Sequence, residues 1–138
     1  VGAESRGWQG AVLRALRAPD YRLTVLDRTE VSPNYLRLRL AAGGLLADRS
    51  VHPTMWIRLW FPTGSGRQQR AYTVLRPDAA NDTIELEFAL HDGPAANWAR
   101  TAAAGDEITA TVMGSKFALP EPAPAGYLLV GDTASLPA

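Results

Sequence analysis

Thr83-Ile84-Glu85-Leu86-Glu87-Phe88-Ala89-Leu90 is the stretch on which the fold class turns. In an extended chain Ile84, Leu86, Phe88 and Leu90 share one side, and Glu85 and Glu87 the other. That alternation marks a strand with one buried face. Leu36, Leu38 and Leu40 alternate in the same way with Arg37 and Arg39, between the breakers Pro33-Asn34 and Gly43-Gly44. Arg22 to Val31 contributes Leu23, Val25 and, after a slip in the period, Val31. Met55 to Phe61 is apolar on both faces except at Arg58. Arg70 to Leu75 and Asp106 to Val112 complete six strands, the last led in by Ala104-Gly105. Pro94 to Ala103 is alanine-rich, with proline suited to a first helical turn, and predicts a helix between the last two strands. Short strands with Gly/Pro turns predict a mainly β domain, a closed antiparallel barrel or a sandwich.

The two ends read differently. Residues 8–17 place Val12, Leu13 and Leu16 on one helical face beside Arg14 and Arg17. Such a helix packs on its domain or lies on a membrane surface, and the first is the ordinary case. Pro120 to Pro124 reads as a stiff connector. After it, Tyr127-Leu-Leu-Val-Gly-Asp-Thr-Ala-Ser-Leu-Pro-Ala138 looks like the first strand and turn of a further unit, because a lone apolar strand needs neighbours. The expected division is a helical segment over 1–20, a barrel over 21–119, a linker over 120–126 and the start of a truncated second domain over 127–138.

The bulk properties remove whole classes. The 138 residues carry 14 basic and 14 acidic side chains, so no global field points to nucleic acid, and no nucleic-acid partner is expected. No cysteine is present, which excludes disulfides, thiolate metal sites and cysteine nucleophiles and suits a reducing cytoplasm. His52 and His91 are distant in sequence with no acidic cluster beside them, so no metal site is expected. No apolar run nears the ~20 residues that span a bilayer, and no signal peptide is expected.

Two short elements carry candidate chemistry. In Arg70-Ala71-Tyr72-Thr73, Arg70 and Tyr72 share one strand face. The guanidinium offers a fork to phosphate oxygens, the tyrosine a flat ring face, and Thr73 a hydroxyl. An ideal strand points Tyr72 and Thr73 to opposite faces, so one ligand reaching both predicts a twist or bulge there. The second element, His91-Asp92-Gly93-Pro94-Ala95-Ala96-Asn97-Trp98-Ala99, joins a strand to a helix start, where small residues allow close approach and free amides attract phosphate. Alone, the first reads as a surface pair and the second as an ordinary turn with Trp98 in the core.

Together and in this order, they resemble the siderophore-interacting proteins, a branch of the ferredoxin-reductase-like flavoproteins. That family's Arg-x-Tyr-Thr is matched by Arg70, Tyr72 and Thr73. Its Leu-His-Gly element leading to Gly-Pro-Ala-Ser-x-Trp-Ala is matched in large part by Leu90-His91 and Gly93 to Ala99. Its Gly-Asp-x-x-x-Leu-Pro-Ala turn is matched by Gly131-Asp132 and Leu136-Pro137-Ala138. The resemblance runs from about Trp8 to Ala138 and is especially close to the flavin domain fused to mycobacterial-type siderophore importers. Ala96 stands where the family usually has serine, and Leu75 where it often has arginine, with Arg76 following.

The resemblance implies a six-stranded Greek-key FAD-binding barrel with one or two short helices, then the first strand of an α/β nicotinamide-binding domain. It implies FAD as cofactor and NAD(P)H as electron donor through that second domain. Arg70 would take the FAD pyrophosphate, with Ala71 beside it. Tyr72 would pack on the isoalloxazine, and Thr73 would reach its N5, making these two the catalytic pair. Gly93, Pro94, Ala95, Ala96, Asn97 and Trp98 would form the phosphate-holding helix start, His91 would line the cleft, and Asp132, Thr133 and Ser135 would border flavin and nicotinamide. The implied activity is an NAD(P)H:ferric-siderophore oxidoreductase. A flavin accepts a hydride and passes electrons on singly, and Fe(II) suits hard oxygen donors less than Fe(III). Arg58, Arg67 and Lys116 are candidates to attract an anionic ferric siderophore. A general flavin reductase and a non-catalytic docking module of a membrane siderophore importer are the alternatives, at the cytoplasmic face of the inner membrane in the importer case.

Overall fold

The computed structural model describes residues 19–112 and 117–137. The helix expected over 8–17 and the candidate Lys116 lie outside them. The described chain runs β1 (Asp20–Ser32), β2 (Tyr35–Ala41), α1 (Leu45–Asp48), β3 (Trp56–Thr63), β4 (Gly66–Thr73), β5 (Leu75–Asp78), β6 (Thr83–Ala89), α2 (Pro94–Thr101) and β7 (Glu107–Thr111). The strands form one sheet in the order β4-β3-β7-β1-β2-β6-β5. Every pairing in it is antiparallel.

The mainly β, antiparallel architecture read from the alternation is borne out, with seven strands in place of six. The expected fourth strand begins earlier, at Gly66, and is divided at Val74. Val74 is buried, and its N–H donates to the Met55 carbonyl at 2.7 Å. Past that point the chain leaves β3 and pairs with β6. The two edges of the sheet, β4 and β5, are therefore consecutive in sequence. A sheet whose edges are joined by one residue must curl, and this one is a half-barrel that brings β4 opposite β6.

The curl is held from inside. Leu23, Leu38, Leu40, Ile84 and Leu86 are fully buried, as the period of two assigned them, and so are Ile57 and Leu59 of the strand apolar on both faces. The slip expected in the first strand is a register shift of the β1–β2 ladder between Val25 and Asp27. Beyond it residues 27–32 are exposed, so Val31, at 47% exposure, adds nothing to the core. On the outer face Arg37 lies between Glu85 and Glu87, and Arg39 pairs with Asp27. Gly43 turns the chain after β2 at φ +63°, where a Cβ would stand 2.2 Å from the Arg22 carbonyl oxygen.

The expected helix spans Pro94–Thr101, with Gly93 as N-cap and Pro94 in its first turn. Residues 127–130, read as a strand, have no sheet partner in the described structure, and Leu128, Leu129 and Val130 are each about 90% exposed. Among the described residues no helix is long and apolar enough to cross a membrane.

Candidate functional site

Four rings from four elements fill the gap between β4 and β6: Phe61, Tyr72, Phe88 and Trp98. Tyr72 lies 4.4 Å from Phe88 and 6.0 Å from Phe61, centroid to centroid. Trp98 lies 5.6 Å from Phe61 and 6.2 Å from Phe88. These are attractive ring separations, each worth about 0.5–1.5 kcal/mol beyond area burial. Burial pushes the Tyr72 phenol up to about 12, against a smaller opposing effect of Arg70, so the hydroxyl stays neutral.

Over this plug opens a cleft of about 570 Å³. Arg70, Ala71, Tyr72 and Thr73 of β4 line it together, with His91 after β6 and Ser135 of the C-terminal turn. No bulge is needed for Tyr72 and Thr73 to reach one space, since the β3–β4 register is unbroken from Trp56↔Thr73 to Thr63↔Gly66. β4 is an edge strand, and the cleft wraps around its free edge and meets both faces. The remaining lining was not legible as a motif: Thr54, Trp56 and Arg58 of β3 and its approach, Glu87 and Ala89 on the outer side of β6, and Ala134 and Pro137. One signal was available, an outward tryptophan and arginine on a strand apolar on both faces.

The polar groups of the cleft are unevenly satisfied. Arg70 is exposed and donates to the Gln69 carbonyl at 2.8 Å, with no carboxylate partner among the described residues. Arg58 donates to Gln69 Oε1 at 2.8 Å and lies over the Trp56 ring at 5.0 Å, while its Nε is buried with no hydrogen-bond partner among the described residues. Two guanidiniums facing one apolar-floored cleft, one with an orphaned buried donor, suit an anionic ligand with an aromatic part.

The helix start stands apart from this lining. Pro94 has no N–H, and the Asn97 N–H donates to the Gly93 carbonyl at 2.9 Å. Ala95 and Ala96 keep first-turn amides but bury their side chains, and Trp98 belongs to the aromatic plug. Gly93 has φ +155° and ψ 162°, a region only glycine enters readily, which sets the helix beside His91. Asp132 and Thr133 also lie off the cleft. Asp132 Oδ1 accepts from the Ala134 and Ser135 amides and from Ser135 Oγ. These bonds, the Ser135 hydroxyl first, hold its carboxyl below the usual range. The Thr133 carbonyl accepts from Tyr35 Oη at 3.2 Å, tying this turn to β2. Of the other cations, Arg67 is on the far side of the plug with Trp98, and Arg76 pairs with Glu85.

Residues 67–115 match the family described as the siderophore-interacting FAD-binding domain. The resemblance expected from the three motifs is thus borne out, and the fold is ferredoxin-reductase-like. The chain is 41% identical over 140 residues to the mycobactin import ATP-binding/permease protein IrtA of Mycobacterium tuberculosis, an alignment covering 96% of this chain and 16% of that protein. The chain spans about a sixth of the importer it matches. A siderophore utilization protein from T. fusca superposes with a TM-score of 0.61 at 26% identity, over 68% of this chain and 44% of that one. The ferredoxin NADP+ reductase from Neisseria gonorrhoeae, with bound FAD and NADP, gives 0.58 at 22% identity over 71% and 39%, a likeness of fold.

Proposed function

We propose that this chain is the flavin half of an NAD(P)H-dependent ferric-siderophore reductase, with FAD held in the cleft between β3, β4 and β6. The observation that carries the reading is the convergence of Arg70, Tyr72 and Thr73 with Arg58 and His91 around one aromatic-floored space. FAD joins a flat ring system to a pyrophosphate, and the lining divides in the same way. Arg70 offers its fork to the phosphates. Tyr72, backed by Phe88, gives the ring a rigid apolar face that excludes water. Thr73 presents a hydroxyl to the ring edge.

Bound FAD would supply the conversion of a two-electron donor into single-electron steps, which iron requires. The protein's own contribution is placement and charge. Arg58 faces the open cleft and is the described cation best placed to draw in an anionic ferric siderophore; Arg67 faces elsewhere. The second half of the reaction, hydride supply, belongs to a nicotinamide domain following residue 127, for which Asp132, Thr133 and Ser135 form the junction. The similarity to importers also favours a setting at the cytoplasmic face of a membrane, with a siderophore importer as partner.

The test is to titrate the purified chain with FAD and follow thermal unfolding. FAD at ~100 times its dissociation constant should stabilise the fold by ~2.7 kcal/mol. Chemically reduced flavin on the chain should then move iron from a ferric siderophore to a ferrous chelator. A melting temperature indifferent to FAD would overturn the cofactor assignment, and bound flavin that leaves the ferric siderophore intact would leave the importer-docking reading.

A further inference from the structure

We infer that Glu87 sets how strongly the bound flavin reduces its acceptor, by presenting a fixed negative charge to the ring. The inference rests on FAD occupying the cleft. Glu87 is the carboxylate among the described residues that line it. Arg37 holds that carboxylate from behind, donating to Glu87 Oε1 from Nε at 2.9 Å and from Nη2 at 2.5 Å. Arg37 does not line the cleft, so the pair turns its negative end toward the ligand and its positive end toward β2. Their side chains are 28% and 11% exposed, and a pair so shielded is screened by salt less than a surface one. The neighbouring Glu85 meets Arg37 at 3.5 Å and pairs with Arg76, but does not face the cleft.

Hydride addition from a nicotinamide brings two electrons and one proton to a neutral flavin ring, which gains one negative charge. A carboxylate fixed beside the ring opposes that charge and so favours giving the electrons up again. Arg70 at the phosphate side and Arg58 at the cleft mouth pull the other way. Glu87 offsets them, which suits an acceptor whose Fe(III) is stabilised by hard oxygen ligands.

The experiment is a spectroelectrochemical titration of FAD bound to the full chain, in wild type, Glu87→Gln, Glu87→Asp, Arg37→Gln and Glu85→Gln. Glu87→Gln should move the midpoint potential positive by at least a tenfold change in the oxidised-to-reduced equilibrium, ~30 mV for a two-electron couple. Arg37→Gln, which leaves the carboxylate uncompensated, should move it negative. Glu87→Asp should restore most of the wild-type value, and Glu85→Gln should leave it unchanged. Opposite signs for Glu87→Gln and Arg37→Gln are something that loosened packing cannot produce. An unmoved potential in Glu87→Gln, or shifts of the same sign in the two variants, overturns the inference while FAD binding stands. A wild type that binds no FAD overturns both.

Discussion

Replacing Tyr72 with alanine should weaken two properties by amounts that can be told apart. Its ring is half-buried and in contact with Phe88 at 4.4 Å and Phe61 at 6.0 Å. Removing a fully buried aromatic side chain costs about 3–5 kcal/mol, so a half-buried one should cost ~2 kcal/mol of folding stability. If the exposed part of the ring carries the isoalloxazine, FAD binding should fall by ~1–3 kcal/mol, taking base–aromatic stacking as the analogue, or about 5- to 150-fold. Ile84→Ala provides the comparison. Ile84 is fully buried on the same sheet and does not line the cleft, and its loss should cost ~2–5 kcal/mol of stability with little effect on FAD. Tyr72→Phe keeps the ring and should retain both properties. The assays are urea unfolding without ligand and FAD titration by flavin fluorescence, well below each variant's melting temperature. If Tyr72→Ala binds FAD as tightly as wild type, or loses no more affinity than Ile84→Ala, Tyr72 is a core residue and its role in the cleft falls.

Three further outcomes are expected. Burial raises the Tyr72 phenol from 10.0 to about 12, so the folded state holds its proton where the unfolded state has released it; its contribution, about 2–3 kcal/mol, is intact below pH 10 and lost as the pH rises through 12. Urea unfolding at pH 9 and 11 should show about half of this loss in wild type, and a smaller change in Tyr72→Phe. Arg70→Ala should weaken FAD binding by roughly 1.5–3 kcal/mol, while Arg39→Ala, whose partner is Asp27 on the outer face, should not; equal affinities by fluorescence titration would refute the phosphate assignment. Thr111→Val removes the acceptor of the buried Trp60 Nε1 bond, 2.8 Å, and the donor to Asp20, and should cost ~1–3 kcal/mol in chemical denaturation without changing FAD affinity.

What the sequence made legible follows from which constraints are local. Ile84, Leu86 and Phe88 alternate with Glu85 and Glu87 because one face of β6 is buried and the other carries an ion-pair ladder, and both demands are written at a period of two. β5 escaped because four residues are too few to show a period, and they contain Pro77 and a positive φ at Arg76. The site was legible only where it is contiguous. Arg70 to Thr73 is a motif, whereas Thr54, Trp56, Glu87 and Pro137 meet it only after the sheet has curled. The helix start illustrates the opposite case: Gly93-Pro94 set the turn as read, but the packing of Ala95, Ala96 and Trp98 decides that their side chains face inward.

The same feature that makes the sheet incomplete makes the cleft. An antiparallel sheet must close or protect its edges, because unpaired backbone invites association. Here β4 and β5 are both edges, and Val74 ties them so closely that they cannot diverge, yet β4 does not pair with β6. The inner half of the gap is filled by Phe61, Tyr72, Phe88 and Trp98, and the outer half remains a space walled by β3, β4 and β6. A flat cofactor fits such a gap as a missing layer of side chains would. FAD in that position would cover the free edge of β4 as well as bind to it, so cofactor affinity and protection of the sheet would be one free energy. Loss of FAD should accordingly expose β4 first: amides of Gly66–Thr73 that exchange by local opening should quicken in the ligand-free chain by up to the factor 1 + [FAD]/Kd, while amides of β1 and β2 that exchange by local opening keep their rates and only those that exchange by global unfolding share the factor. Uniform change across all strands would separate the edge from the site.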